Sequence, residues 1–201
     1  QNVSDQESFT ITVTGINDAP VATFDTQQDV DEGSGILNGL LTATDADSGD
    51  AAALTFADTT GGIAGLIINP DGAFSFDADN AAYDELDAGD TLTLNVTYSV
   101  TDTVGDSGAG SFDIVVTGTN DTPVATFTDP RTATEDGTPI NGQLTVADVD
   151  ADDTFTFSFD NAIGGLSLAG ADWAFDPSDS DYQALAQDEE QEITVNYTVA
   201  D

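Results

Sequence analysis

Two segments of the chain place carboxylates two residues apart, Asp45-Ala46-Asp47 and Asp148-Val149-Asp150, and each has an Asn-Asp pair upstream, Asn17-Asp18 and Asn120-Asp121. Short acidic side chains in loops are hard oxygen ligands. They suit Ca2+, which takes about six to eight oxygens at roughly 2.3–2.6 Å, whereas Mg2+ demands stricter octahedral geometry. Other chemistries are excluded by what the sequence lacks. There is no His and no Cys, so no thiol nucleophile, no Ser-His pair, and no zinc, copper, haem or iron–sulfur site of the usual ligand type. Arg131 is the single basic residue against 39 acidic ones, for a formal charge of −38. Such a polyanion has no surface for nucleic acid or for an anionic membrane.

The elements that hold these carboxylates must tolerate that charge. Self-repulsion destabilises a compact state, at about 1 kcal/mol per close pair in water and several times more at lower dielectric. Cations must offset it. Disorder is the usual fate of acidic chains. Here, however, 39% of residues are apolar, many alternating with Thr and Ser, which predicts a folded chain. No apolar run reaches the roughly 18 residues of a membrane span, and no basic region precedes an apolar stretch at the N-terminus. The absence of Cys argues against a small disulfide-stapled module.

Self-comparison gives the organisation. ITVTGINDAPVATF, from Ile11, recurs as IVVTGTNDTPVATF, from Ile114, a spacing of 103 residues. Glu32 matches Glu135, Asn38-Gly39 matches Asn141-Gly142, and Asp45-Ala46-Asp47 matches Asp148-Val149-Asp150 in the same register. Later landmarks drift by a few residues: Tyr83 with Tyr182, Leu86 with Leu185, Tyr98 with Tyr197.

Each repeat reads as short strands. FTITVTG, FSFD, TLTLNVTYSV and SFDIVVTG alternate apolar and hydroxyl residues with period two, and Gly, Asp, Asn and Ser clusters between them mark turns. Only Asn80 to Leu86 suggests a helical turn. About seven strands in roughly 100 residues predict an all-β fold of tandem, antiparallel Greek-key β-sandwiches of Ig-like or cadherin-like type, elongated, with Tyr83 and Leu86 packing a corner. Residues 1–17 then carry the last strand of a preceding repeat, residues 18–120 a complete sandwich, and residues 121–201 a second repeat. That second repeat stops after a strand at Ile193–Val199, without the counterpart of Ser111–Thr117. The chain thus reads as a piece of something longer.

The runs GINDAPVA and GTNDTPVA, the segments LTATDADSGD and LTVADVDADD, the stretch from DGAFSFD to YDELDAGD, and YSVTD followed by a final VTG strand resemble VCBS-type repeats. These are cadherin-like or Ig-like extender domains found in tandem in giant bacterial RTX adhesins of the biofilm and ice-binding types. The resemblance implies a secreted, surface-anchored stalk, stiffened by Ca2+, that projects ligand-binding domains from the cell. The glycine-rich nonapeptide repeats of the RTX C-terminus are absent, so the segment corresponds to stalk.

Sandwich topology places the carboxylates. The loop with Asp45 and Asp47 returns beside the N-terminal linker, as does the loop bringing Asp102 and Asp106, whose second-repeat match is Asp201. The opposite pole carries Glu32 and the corner residues Asp84, Glu85, Asp87 and Asp90. Near residue 120, oxygens are therefore expected from Glu32 and from Asp84, Glu85 or Asp87, from Asn120 and Asp121 in the linker, and from Asp148, Asp150 and Asp201. Asn17, Asp18, Asp45, Asp47 and Asp102 are the matching set of the first repeat. The arrangement resembles the cadherin linker, where a similar Asn-Asp-x-Pro segment binds Ca2+ between domains, although no Asp-Arg-Glu segment is present. The bland reading of any single Asp is a turn former or a solvated charge, and Asp152 and Asp153 are read as solvated. Pro20 and Pro123 stiffen the linkers. Phe56, Phe74, Phe76, Trp173 and Phe175 are read as core, and Arg131 as pairing with a neighbouring acid.

Competing functions are separable. A carbohydrate- or protein-binding module would carry an insertion with aromatics, and only small loop changes near Asp58 to Ile63 break the repeat. An enzyme could use paired carboxylates, but none is singled out, so no catalytic residue is assigned. The expected partners are Ca2+ and neighbouring repeats of the same chain. Head-to-tail capture of Ser8–Thr14 by the open edge of another molecule's second repeat is a further possibility.

Overall fold

The computed structural model describes residues 4–47, 49–150 and 153–201. Asp152, read above as solvated, lies outside them. The chain is all-β, and among the described residues the one helical element is a 3₁₀ turn at Asp50–Ala52. Two compact units divide it. The first takes the chain up to Val30, with Gly35–Ala78 and Thr93–Val115; the second takes Asp31–Ser34, Asp79–Leu92 and Val116–Asp201. The second unit thus joins the Glu32 turn and the corner segment of the first repeat to everything after Val116.

The first repeat contains β1 (Val21–Ala22), β2 (Gln28–Asp31), β3 (Ile36–Leu40), β4 (Ala43–Thr44), β5 (Thr55–Asp58), β6 (Leu66–Ile68), β7 (Ala73–Asp77), β8 (Thr91–Thr101) and β9 (Ser107–Thr117). One sheet has the order β2-β9-β8-β5, a second β3-β7-β6, and β1 pairs with β4. Alternation decides which side chains go inside. Val96, Tyr98 and Val100 of β8 and Ile114 and Val116 of β9 are fully buried, while the intervening Thr, Ser and Asp are not. Phe74 and Phe76 of β7 close the core from the facing sheet. Phe24, Phe74, Phe112 and Tyr98 form a chain of edge and tilted ring contacts 5.0–6.4 Å apart, and the Tyr98 hydroxyl donates to Phe24 O at 2.9 Å. Gly39 must be glycine, because a Cβ there would enter the Phe74 ring.

The second repeat contains β10 (Val124–Ala125), β11 (Ile140–Gln143), β12 (Val146–Ala147), β13 (Thr156–Phe159), β14 (Leu166–Ala169), β15 (Asp172–Phe175) and β16 (Tyr197–Ala200). Its sheets are β11-β15-β14, β13-β16 and β10-β12. Trp173 is core, packed on Phe127 and over Gly142 as Phe74 is over Gly39. Tyr182 holds its corner by donating to Gly164 O at 2.8 Å. In the first repeat, Asn80–Leu86 forms two successive turns.

Two expected strands differ. Ser8–Thr14 adopts no strand, and the strand expected at Ile193–Val199 begins only at Tyr197. The reason is physical: extended backbone is assigned to a strand by its ladder, and a pleated segment without a neighbour exposes N–H and C=O groups that water must satisfy instead. Phe76→Ala, which empties a fully buried site, is expected to destabilise the fold by about 3–5 kcal/mol in urea denaturation.

Candidate metal centre

Carboxylates of the first unit are set by short local hydrogen bonds. Asp47 N donates to Asp45 Oδ1 at 2.9 Å, which curls the loop so that both side chains face one way. Asp18 N donates to Asp47 Oδ2 at 2.7 Å, and the Asn17 amide donates to Asp102 Oδ2 and Asp106 Oδ2 at 2.9 and 2.8 Å. Asp102, buried, also accepts from the backbone N–H groups of Val104, Gly105 and Asp106. With the Asn17 amide as the largest influence, these donors hold its carboxyl below the usual range. Asp102 is thereby the anchor of the β8–β9 turn, its oxygens occupied by N–H donors.

The same wiring recurs in the second unit. Asp150 N donates to Asp148 Oδ1 at 3.2 Å, Asp121 N to Asp150 Oδ2 at 2.7 Å, and the Asn120 amide to Asp201 Oδ2 at 2.9 Å. Here the Glu32 turn and the corner segment join it. Glu32 N donates to Thr117 O at 2.9 Å, and Gly118 N to Asp90 O at 2.8 Å. Gly118 permits that approach, since a Cβ there would strike the carbonyls of Leu86 and Asp87. The Glu32 side chain, 6% exposed, accepts a single long bond from Thr119 N at 3.3 Å. Burial raises its pKa, with the charges of Asp121, Asp84 and Asp150 adding. Asp121 is raised by burial and by Asp150, Asp84 and Asp148.

Asp153 departs from its reading as solvated. It is half-buried; burial first, then Asp150, Asp201, Asp148 and Asp87, push its carboxyl up. Carboxylate oxygens of Asp148, Asp153 and Asp201 lie within 4.8 Å of one another, and so do those of Asp45, Asp47 and Asp50. Asp50 and Asp153 occupy the same place in the 103-residue register, so that register was the signal that would have found both. Of the corner residues, Asp84 and Asp87 act on the cluster, while Glu85 is exposed and is not among the charges acting on Glu32, Asp121 or Asp153. Arg131 pairs with Asp129 in an exposed bridge, which contributes little.

The decisive geometry is a set of carboxylate oxygens: among the described residues, Asp45 Oδ2, Asp148 Oδ2, Asp150 Oδ1 and Asp153 Oδ2 are buried without a hydrogen-bond partner, and Asp150 is only 4% exposed. A buried charge without partner or donor costs several kcal/mol. Clustered carboxylate oxygens of this kind fit a hard divalent cation such as Ca2+.

Residues 17–115 match the family model described as Bacterial Ig domain. No curated protein matches the sequence. Among solved structures, the chain is similar to PcdhgB3 EC1-4, with a TM-score of 0.57 and 15% identity over 90% of this chain and 45% of that one. It is also similar to protocadherin gamma B2 extracellular cadherin domains 1–5, with a TM-score of 0.51 and 18% identity over 80% of this chain and 32% of that one. The chain therefore spans less than half the length of these structures. At such identities the likeness is one of fold: an Ig-like domain of cadherin-like architecture. Among the described residues no helix is long and apolar enough to cross a membrane.

The raised carboxyls fix a pH response for the cation-free chain. Glu32, Asp121 and Asp153 hold protons more tightly when folded than their ordinary values of 4.5, 3.8 and 3.8. Between the unfolded and folded values the native state binds more protons, so their contribution is present below the ordinary value and lost as pH rises through the folded one. Asp102 and Asp176, lowered from 3.8, work oppositely and lose their contribution as pH falls through their folded values. In chelator, stability is expected to rise as pH drops from neutral towards the ordinary carboxylate range and to fall below it. Chemical denaturation across pH checks this, with the rise blunted in Asp153→Asn.

Proposed function

We propose that the chain is a Ca2+-stiffened extender of a bacterial surface adhesin, a secreted stalk segment that holds ligand-binding domains away from the cell. The role is mechanical rather than enzymatic, and the partners are Ca2+ and the neighbouring repeats. The observation that carries this reading is the group of buried, donorless oxygens on Asp148, Asp150 and Asp153, in a chain whose one basic side chain is engaged elsewhere. The matching bacterial Ig family and the cadherin-like fold support the setting. So does the likeness to VCBS-type repeats noted from the sequence.

Asp121, Asp148, Asp150, Asp153 and Asp201, with Glu32 and Asp84, would hold the ion in the second unit; Asp18, Asp45, Asp47 and Asp50 are the corresponding oxygens of the first. Bound there, Ca2+ supplies positive charge and a shared ligand for carboxylates that otherwise repel. The protein's own part is to present oxygens from three places at once. The Glu32 turn and the Asp84 corner belong to the first repeat, Asp121 to the linker, and Asp148 and Asp150 to the second repeat, so fixing all three stiffens the passage from one repeat to the next.

Small-angle scattering with and without Ca2+ tests the mechanical role. The parent chain is expected to become stiffer with Ca2+, with a narrower distribution of interatomic distances. Asp148→Asn combined with Asp150→Asn is expected to keep the flexible profile at the same Ca2+ concentration while its strand circular dichroism is retained. Identical scattering of parent and variant in Ca2+ contradicts the reading.

A further inference from the structure

Two places where the repeats differ in length meet on one groove of the first repeat. Pairing fixes the alignment: Asp58 pairs with Tyr98 as Phe159 does with Tyr197, and Ile68 with Phe74 as Leu168 does with Trp173. Phe56 therefore corresponds to Phe157, and the loop from Asp45 to Phe56 is two residues longer than that from Asp148 to Phe157. The turn from Ile68 to Phe74 is one residue longer than that from Leu168 to Trp173. The longer loop forms the 3₁₀ turn Asp50–Ala52, and the longer turn carries Asp71. A groove of about 360 Å³ opens between them, lined by Ala51 and Ala52 from the loop and by Asp71 from the turn, wholly within the first unit.

The groove joins an apolar floor to a charged rim. Leu41 and Phe56, 3% and 9% exposed, and the half-buried Leu54 line it from the core side. Gly72, at φ 88°, lets the turn rest on that floor, since a Cβ there would meet Leu41 O at 3.0 Å and the Phe56 ring at 3.1 Å. Phe56 N donates to Pro70 O at 3.0 Å and Leu41 N to Gly72 O at 2.8 Å, which pins the turn in place. Asp71 stands exposed at the rim, its carboxylate oriented by accepting from Ala73 N at 3.1 Å. The chain contains no lysine, and Arg131 is engaged with Asp129, so a cation for Asp71 comes from another kind of molecule.

We propose that this groove docks a lysine side chain of a partner protein. Lysine lays its methylene stem along apolar surface while its ammonium stays in water, which matches an apolar floor with one exposed carboxylate beside it. A compact point charge suits that single carboxylate, already engaged at one oxygen, better than the planar fork of arginine. The formal charge of −38 repels an acidic partner and steers a basic one towards the chain. None of the groove residues is among those proposed to hold Ca2+, so this site stands or falls apart from the cation reading.

Nuclear magnetic resonance titration of the full chain with a blocked lysine, Nα-acetyl-lysine N-methylamide, tests the proposal. Excess Ca2+ keeps the ammonium off the acidic loops, and about 0.15 M salt screens charges more than roughly 8 Å apart. Saturable amide shifts are expected at residues 41–43, 51–56 and 71–73. The matching norleucine compound, with the same four carbons and no ammonium, is expected to bind there about two- to fivefold more weakly, the effect of one exposed ion pair. Asp71→Asn keeps the acceptor for Ala73 N, so the fold is retained. It is expected to weaken lysine by the same factor and to leave norleucine unchanged. Asp29→Asn, on the exposed face of β2, is expected to change neither. The proposal is overturned if no saturable shift appears at the groove, or if shifts spread over exposed carboxylates along the whole chain. Equal binding of lysine and norleucine overturns it as well, as does equal weakening of lysine by both substitutions.

Discussion

Carboxylates buried side by side without a donor are the constraint on which the rest of this structure depends. The charges of Asp121 and Asp150 act on Glu32, and that of Asp150 acts on Asp121 and Asp153 as well, while among the described residues Asp148 Oδ2, Asp150 Oδ1 and Asp153 Oδ2 have no hydrogen-bond partner. Two unit charges a few ångströms apart repel by about 1–4 kcal/mol at the effective dielectrics of protein surfaces. Domain stability is itself only about 5–15 kcal/mol. An arrangement of several such pairs is stabilised by whatever protons or cations accompany it, and this is the physical premise of the proposed Ca2+ role.

The sandwich cores carry the opposite burden. In the first repeat, ring contacts among Phe24, Phe74, Phe112 and Tyr98, with Val96, Val100, Ile114 and Val116 fully enclosed, make a core that contains no acid. Strand alternation sends Asp113 of β9 away from that core, Asp58 stands exposed at the end of β5, and the clustered carboxylates stand in turns and loops. The separation explains how so acidic a chain folds: apolar burial acts where charge is absent, and charge is concentrated where an ion can reach it. Gly39, Gly118 and Gly142 are the points where backbone or ring approaches too closely for a side chain.

Much of this was legible in the sequence because the repeat doubles every signal. Asp45, Asp47, Asp148 and Asp150 stand at one register, and their identical wiring to Asp18 and Asp121 follows from it. The turn at Glu32 and the corner at Asp84 required topology, since nothing local relates residue 32 to residue 121. Asp153 was misread because a run of acids looks solvated in sequence. Its carboxyl is half-buried, and besides that burial the charges of Asp150, Asp201, Asp148 and Asp87 act on it, the second and last of them distant in sequence. The strand character of Ser8–Thr14 and of residues 193–196 was over-read for a related reason. Alternation states which face a segment would bury, whereas a ladder needs a neighbour that composition cannot supply.

The central claim is that the donorless oxygens await Ca2+, and a Ca2+ titration into chelated protein, followed by heat and by melting temperature, addresses it most directly. Ligands that bind only the native state stabilise it by about 2.7 kcal/mol at one hundred times the dissociation constant. The account predicts saturable binding and a rise in melting temperature of many degrees, both diminished in Asp150→Asn. No heat and no change in melting temperature at millimolar Ca2+ would contradict it.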